Sequence, residues 1–148
     1  MNPDFRDILS LFNEENVEYL VVGAYALAHH GLPRATGDID LWVHCSEDNA
    51  ARILRALSRF GAPLSDITVS DFTRSGMVVQ IGIAPRRIDI LTAIDGVEFA
   101  EAAQDRDQAD IEGLIVPIIS KRHLVQNKRA AGRPKDQADV ASLEQIEN

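Results

Sequence analysis

Cysteine is scarce in this 148-residue chain, which contains only Cys45. A single cysteine excludes a disulfide within the chain and is typical of a reducing compartment, so we interpret Cys45 as a packing residue. The sequence also lacks an apolar run of about 18 residues and a basic-then-apolar N-terminus. We therefore expect no transmembrane helix and no signal peptide, and we predict a cytoplasmic protein with no membrane partner.

A net positive charge and zinc-ligand patterns are lacking as well. The net charge of −8 argues against tight, non-specific binding of a nucleic-acid backbone. Hydrophobic residues make up 45% and charged residues 26% of the chain, which is ordinary for a globular domain with a core. The histidines lack the spacing with cysteine that zinc sites show, and we interpret them as structural or peripheral (His29, His30, His44 and His123).

Two carboxylates one residue apart mark the most informative segment of the chain. Asp38 and Asp40 lie in the apolar stretch Asp38–Val43, which predicts a strand. Successive side chains of a strand point to opposite faces. Asp38 and Asp40 therefore project from one face, and Ile39 and Leu41 point to the core from the other. Crowded carboxylates repel each other unless a cation lies between them, and Mg²⁺ prefers such oxygen ligands. The pair therefore predicts a metal site.

A small-residue turn precedes this strand. The buried stretch Tyr19–Val22 predicts a first strand, followed by Gly23, Ala24 and a short helix. Small residues at the start of a helix let backbone N–H groups approach an anion. Together with the two carboxylates, the turn predicts a site for a metal and a phosphate group.

This arrangement resembles the nucleotidyltransferase fold of the DNA polymerase β superfamily. Its signature is an apolar residue, Gly, then Gly or Ser, a spacer and an Asp-x-Asp between apolar residues. Val22-Gly23-Ala24, thirteen residues (25–37) and Asp38-Ile39-Asp40-Leu41 match it. Ala24 departs from the pattern, because its backbone N–H remains but a phosphate-binding hydroxyl is absent. The resemblance implies a third carboxylate from a later strand, and Asp89 supplies it in Arg87-Ile88-Asp89-Ile90-Leu91.

Charge is segregated in the C-terminal part of the chain. Residues 95–112 contain seven acids and one base, whereas residues 121–135 contain no acid and six bases (Lys121, Arg122, Lys128, Arg129, Arg133 and Lys135). A solvated helix face is one interpretation of this basic block. The other is a boundary of the phosphate site, which we favour.

A second, narrower resemblance connects the two ends of the chain. Arg34-Ala35-Thr36-Gly37-Asp38-Ile39-Asp40, followed late by residues 128–136 and Asp139, resembles abortive-infection toxin-type nucleotidyltransferases. Arg34 and Thr36 lie in the loop that leads into the strand of Asp38 and Asp40, and there they could contact a phosphate group or a sugar. Lys128 is placed to neutralise triphosphate charge, with Lys121 as the second choice. Arg133 suits a phosphate, Asp136 or Asp139, while Asp136 either compensates the helix dipole or orients Lys128 or Arg133.

The resemblance implies an enzyme that transfers a nucleoside monophosphate from a nucleoside triphosphate (NTP) to an acceptor hydroxyl. Asp38, Asp40 and Asp89 would hold two Mg²⁺ ions, and Asp89 would also take the hydroxyl proton. Gly23 and Ala24 would cradle the β- and γ-phosphates. We expect RNA, tRNA or protein as the acceptor, in a toxin–antitoxin or phage-defence role. The alternatives are a small antibiotic acceptor and a non-catalytic, antitoxin-like binding protein; a homodimer or a partner protein would complete an open cleft.

The predicted fold class is α/β (α+β), with a mixed sheet flanked by helices. We predict one domain over residues 1–148, divided into a catalytic core (1–118) and C-terminal helices (119–148). Helices are predicted over residues 3–15, 24–30, 47–60, 97–103, 120–131 and 134–147. Strands are predicted over residues 18–22, 38–44, 67–69, 77–83 and 87–92, with 114–118 as a short apolar run.

Overall fold

Six strands form one mixed sheet in the computed structural model, which describes residues 1–146. Across the sheet, the strands run in the order β3-β4-β2-β1-β6-β5. The pairs β2/β4 and β1/β6 are parallel, and the other three pairs are antiparallel. The strands are β1 (Tyr19–Val22), β2 (Asp38–Val43), β3 (Val78–Ile81), β4 (Arg87–Leu91), β5 (Asp107–Ile111) and β6 (Leu114–Ile118).

Helices flank this sheet, as the sequence predicts, so the predicted fold class is confirmed. In the described residues they are α1 (Pro3–Glu14), α2 (Gly23–His29), α3 (Glu47–Phe60), α4 (Ser70–Thr73), α5 (Phe99–Gln104), α6 (Lys121–Ala131) and α7 (Pro134–Gln145). The predicted end of the last helix, Glu147, lies outside the described residues. None of the helices in residues 1–146 is long and apolar enough to cross a membrane.

Helices α3 and α6 begin at serine caps and end at glycine caps. The side chains of Ser46 and Ser120 accept hydrogen bonds from backbone N–H groups in the first turns of α3 and α6. Gly61 and Gly132 end these helices in the left-handed conformation. The apolar stripe of α1 is fully buried and packs with α3 against the sheet (Phe5, Ile8, Leu9 and Phe12).

Two local predictions are wrong. Residues 67–69 form a turn instead of a strand, because Asp71 accepts a hydrogen bond from Thr68 N and starts α4 beside it. The strand β5 was not predicted, because its sequence is mostly polar and has few of the apolar residues that indicate a strand. It forms a hairpin with β6 through Glu112 and Gly113, whose φ angles of 53° and 86° suit a tight two-residue turn.

Candidate active site

The register of β2 and β4 brings three carboxylates together. Asp40 lies opposite Asp89, and Asp38 lies opposite Arg87. Oxygen atoms of the three aspartates lie within 4.8 Å of one another, and we call Asp38, Asp40 and Asp89 the carboxylate cluster. The intervening side chains hold this orientation, since they are buried in the core on the opposite face of the sheet (Ile39, Leu41, Ile88 and Ile90).

Gly23 makes room for one member of the cluster. Its φ is +68°, and a Cβ atom at this position would lie 2.0 Å from Asp40 Oδ2. Any other residue would clash with the carboxylate and adopt a backbone conformation that side chains disfavour. The glycine of the sequence motif is therefore required for the Asp40 carboxylate to lie over the start of α2. Ala24 follows in the first turn of α2.

The carboxylate cluster carries more negative charge than its surroundings balance. Burial first, and then the charges of Asp38 and Asp89, raise the pKa of Asp40 to about 7. Arg87 opposes this shift but does not cancel it. A bound cation would therefore stabilise the ionised form of Asp40.

Arg87 is a site residue that the sequence analysis missed. Its Nη2 donates to Asp38 Oδ2 at 2.5 Å and to Asp89 Oδ2 at 3.1 Å, and its Nε donates to Asp89 Oδ1 at 3.0 Å. The signal was present, because residues 87 and 89 of one strand point to the same face.

Thr36 contacts the cluster as well. Its hydroxyl donates to Asp38 Oδ1 at 2.8 Å and accepts from Asp38 N at 3.3 Å, which fixes the orientation of that carboxylate. The structure therefore places Thr36 beside a carboxylate, where the sequence predicted a contact with phosphate or sugar.

A cleft of about 320 Å³ opens at one side of the cluster. Asp40 and Gly23 line one side of it, and Lys128 of α6 lines the other. Arg133 and Asp136, at the start of α7, also line it, as does Asp95 in the loop after β4. The structure thus brings Lys128 and Arg133 of the basic block to the same cleft as Asp40 of β2.

Five side chains on the α6–α7 side form an ion-pair network around Lys128, which we define as Arg34, Lys128, Arg133, Asp136 and Asp139. Lys128 Nζ lies 2.9 Å from Asp139 Oδ2 and 3.5 Å from Asp136 Oδ1. Arg34 pairs with Asp139 at 2.7 Å, and Arg133 pairs with Asp136 at 2.7 Å. Arg34 thereby ties the loop before β2 to the C-terminal helix α7.

The two acids of this network are stabilised in their ionised form. Hydrogen bonds from Arg133 lower the pKa of Asp136 below its usual value, although burial opposes them. Burial also raises the pKa of Asp139, but hydrogen bonds from Arg34 and Lys128 outweigh it and lower the pKa overall. Asp139 was proposed from sequence as a partner of Arg133; its partners are Arg34 and Lys128.

Three other side chains of the basic block contact acids or a backbone oxygen of the protein. Arg122 pairs with Asp105 at 3.1 Å, and Arg129 pairs with Glu144. Lys121 Nζ donates to the backbone oxygen of Ile146 at 2.6 Å and lines a different cavity. The structure therefore does not bring Lys121 to the cleft, because it lies about two helical turns before Lys128.

The donor set of the carboxylate cluster fits Mg²⁺. Three carboxylates offer the hard oxygen ligands that this ion prefers, and they converge within 4.8 Å. Burial and the two neighbouring carboxylates raise the pKa of Asp40, and a cation bound there would favour its ionised form. The cluster is thus able to hold a divalent cation beside a cleft that has basic groups for phosphate.

Comparisons with known proteins agree with this fold. The chain is similar to a candidate nucleotidyltransferase from Thermotoga maritima, with 18% identity, a TM-score of 0.65, and coverage of 96% of this chain and 93% of that one. It is also similar to lincomycin-bound lincosamide antibiotic adenylyltransferase LnuA (14% identity, TM-score 0.62, coverage 99% and 98%). A third similar structure is ANT(2″)-Ia in complex with adenylyl-2″-tobramycin, with 18% identity, a TM-score of 0.57, and coverage of 94% of this chain and 84% of that one.

At these identities the solved structures establish the fold alone, and it is the predicted nucleotidyltransferase fold. No curated protein matches the chain. A family model described as aminoglycoside-2″-adenylyltransferase matches residues 4–143. Because this match spans nearly the whole chain, the protein is a nucleotidyltransferase that belongs to the aminoglycoside-2″-adenylyltransferase family.

Proposed function

We propose that this protein is a magnesium-dependent enzyme that transfers a nucleoside monophosphate, with AMP as the first candidate, from an NTP to a hydroxyl group of a small molecule. The observation that carries the proposal is the convergence of Asp38, Asp40 and Asp89 within 4.8 Å beside a cleft lined by Lys128. When bound there, Mg²⁺ ions supply charge neutralisation and polarise the reacting oxygens.

The residues of the chain have separate tasks in this reaction. The acceptor oxygen forms a bond to the α-phosphorus, and the bond from that phosphorus to pyrophosphate breaks. Asp38, Asp40 and Asp89 would hold the metal ions, and Asp89 would also take the proton of the acceptor hydroxyl. Thr36 fixes Asp38 for this task through its hydrogen bond.

The other side of the cleft receives the triphosphate. Lys128 and Arg133 line the cleft and offset phosphate charge, and backbone N–H groups of Gly23 and Ala24 contribute donors. Asp136 orients Lys128 and Arg133, since it contacts both side chains. Arg34 acts through Asp139, which holds Lys128 from its other side.

A small-molecule acceptor is supported better than RNA, tRNA or protein. RNA, tRNA or protein was expected from the resemblance to toxin-type nucleotidyltransferases. The basic block adds little support for RNA, because five of its side chains contact acids or a backbone oxygen of the protein (Lys121, Arg122, Lys128, Arg129 and Arg133). A net charge of −8 suits a cationic acceptor such as an aminoglycoside. The family match and the two antibiotic adenylyltransferases support the same class.

A label-transfer experiment tests the proposal. The protein is incubated with Mg²⁺ and one α-labelled NTP at a time, in the presence of tobramycin, lincomycin, bulk tRNA or a cell extract. We expect label from ATP in a small-molecule product and no product from the Asp40→Asn variant. Label in tRNA or protein would overturn the proposed acceptor, and no labelled product with any small hydroxyl acceptor would also count against it.

A further inference from the structure

Arg87 occupies the space between two members of the carboxylate cluster. A single nitrogen, Nη2, reaches Asp38 Oδ2 and Asp89 Oδ2, at 2.5 Å and 3.1 Å. The side chain is 35% exposed, so it has a path into solvent. Its backbone is fixed in β4 opposite Asp38, which means that only the side chain needs to move.

A guanidinium in this place offsets part of the negative charge of the carboxylates, as a metal ion would. Three carboxylates in one site repel each other, and Arg87 is the cation that contacts two of them in the described residues. Mg²⁺ requires ligand oxygens at about 2.0–2.1 Å, and Nη2 already occupies Asp38 Oδ2 and Asp89 Oδ2, two of the oxygens that the cluster offers. The Arg87 guanidinium and a metal ion at the same two oxygens would repel each other strongly. The guanidinium and a metal ion held by Asp38 and Asp89 therefore exclude each other.

We infer that Arg87 is a built-in counter-ion of the metal-free site and that it leaves Asp38 when a divalent metal binds. This inference rests on the proposed function, because it concerns the same carboxylate cluster. Arg87 acts as a positioning residue: it holds the cluster together without metal and sets the metal concentration at which the site fills. Metal affinity is lower than the three carboxylates alone would provide.

The neighbouring Arg86 supplies a matched control. It is one residue away, its side chain is 60% exposed, and its partner is Asp4 at 3.6 Å. Arg86→Gln and Arg87→Gln remove the same charge from the protein. Only the second variant removes the cation that bridges the cluster.

Binding of Mn²⁺, measured by electron paramagnetic resonance without nucleotide, tests the inference. We expect Arg87→Gln to bind Mn²⁺ at least fivefold more tightly than the wild type, and Arg86→Gln to bind it like the wild type. In EDTA, Arg87→Gln should melt below both proteins, and Mn²⁺ should raise its melting temperature more than theirs. Arg87→Lys, whose compact ammonium cannot bridge both carboxylates, should have an intermediate affinity and serves if Arg87→Gln fails to fold.

The contrary results are distinct. Affinity for Mn²⁺ that is unchanged or weaker in both Arg87 variants would overturn the inference, because a purely structural Arg87 would weaken the site when lost. Asp40→Asn separates this outcome from failure of the proposed function. If the wild type binds no Mn²⁺, or binds it equally well after Asp40→Asn, the metal site itself is disproved.

A second measurement follows Arg87 directly in the wild-type protein. The ¹H–¹⁵N resonances of its Nη2 group, which contacts Asp38, are assigned by their loss in Arg87→Lys and should move toward those of a free arginine when Mg²⁺ is added. A resonance that keeps its position at saturating Mg²⁺ would contradict displacement.

Discussion

Members of the carboxylate cluster and of the ion-pair network line the same cleft, but the charges of the two groups are balanced differently. The cluster has three acids and contacts one cation, Arg87, whereas the network has two acids and three cations. The pKa of Asp40 is raised to about 7, while the pKa values of Asp136 and Asp139 are lowered. Acids in the network are thus satisfied by the protein itself, and acids in the cluster are not.

This difference separates a site that awaits a ligand from one that holds helices in place. A buried charge costs free energy unless it is paired, so an unbalanced cluster persists only where a function requires it. The network is closed on itself and joins α6, α7 and the loop before β2. Its excess of one positive charge faces the cleft and suits a phosphate.

The largest expected effect comes from the cluster. Asp40→Asn should reduce nucleotidyl transfer by about a thousandfold, which corresponds to about 4 kcal/mol of transition-state stabilisation. Metal-free stability should stay equal or increase, because one of three repelling charges is lost. Pyrophosphate release and thermal melting in EDTA measure the two quantities. A variant that melts many degrees lower would assign Asp40 a structural role.

The network should respond in the opposite way. Asp139→Asn removes the charged partner of Arg34 and the nearer of the two acids that contact Lys128, and it should lower the free energy of unfolding by about 3 kcal/mol. Glu144→Gln is the matched control, since it breaks an exposed pair with Arg129 that contributes less than about 1 kcal/mol. Denaturant unfolding of both variants gives the comparison. Equal, small losses would show that the network is not a structural lock.

Stability should depend on pH through Asp40 in particular. Its folded-state pKa of about 7 lies above the value of about 4 in an unfolded chain, so the folded protein binds this proton more tightly. The stabilisation is full below about pH 4 and is lost as the pH rises through 7. We expect metal-free protein to lose about 2 kcal/mol between pH 5 and 8, after a discount for partial exposure.

The variant Asp40→Asn is the reference for that measurement, because the two proteins differ in this one carboxyl group. Its denaturant midpoints at pH 5 and 8 should differ by less than those of the wild type. The lowered pKa values of Asp136 and Asp139 act below about pH 4 and stay outside this window. Parallel pH profiles would show that Asp40 ionises normally.

The smallest effect distinguishes one lysine from a diffuse basic patch. Lys128→Ala should weaken the use of NTP about tenfold, equal to about 1.4 kcal/mol, and Lys128→Arg should restore only part of it. Arg129 is exposed and pairs with Glu144, so Arg129→Ala should change little. Steady-state kinetics across a salt series gives the comparison. Equal losses with a steep salt dependence would indicate a patch for RNA.

Much of this site is predictable from alternation along β2 and β4. Asp38, Asp40 and Asp89 could be placed on one face because apolar residues alternate with them. The same rule applied to Arg87 places it beside Asp89, but an arginine next to acids does not look unusual in a sequence. Which strand pairs with β2, and in what register, decides that Arg87 also reaches Asp38.

Long-range pairing limits prediction on the other side of the cleft. Lys128 and Asp139 were recognisable as a late motif, whereas the partner of Asp139, Arg34, lies 105 residues earlier. Lys121 and Lys128 carry the same charge and lie about two turns apart on α6. Only the packing of α6 in the structure shows that Lys128 is the one that lines the cleft. Likewise, β5 is defined by its pairing with β6 rather than by its own polar sequence.

Calorimetric titration of ATP with and without Mg²⁺ tests most directly whether the unbalanced cluster is the metal-dependent catalytic site. The account predicts that the wild type binds ATP at least tenfold more tightly with Mg²⁺ than in EDTA, equal to about 1.4 kcal/mol or more. Asp40→Asn should bind ATP with the same weak affinity in both conditions. Wild-type binding that does not depend on Mg²⁺, or metal dependence that survives Asp40→Asn, would contradict the account.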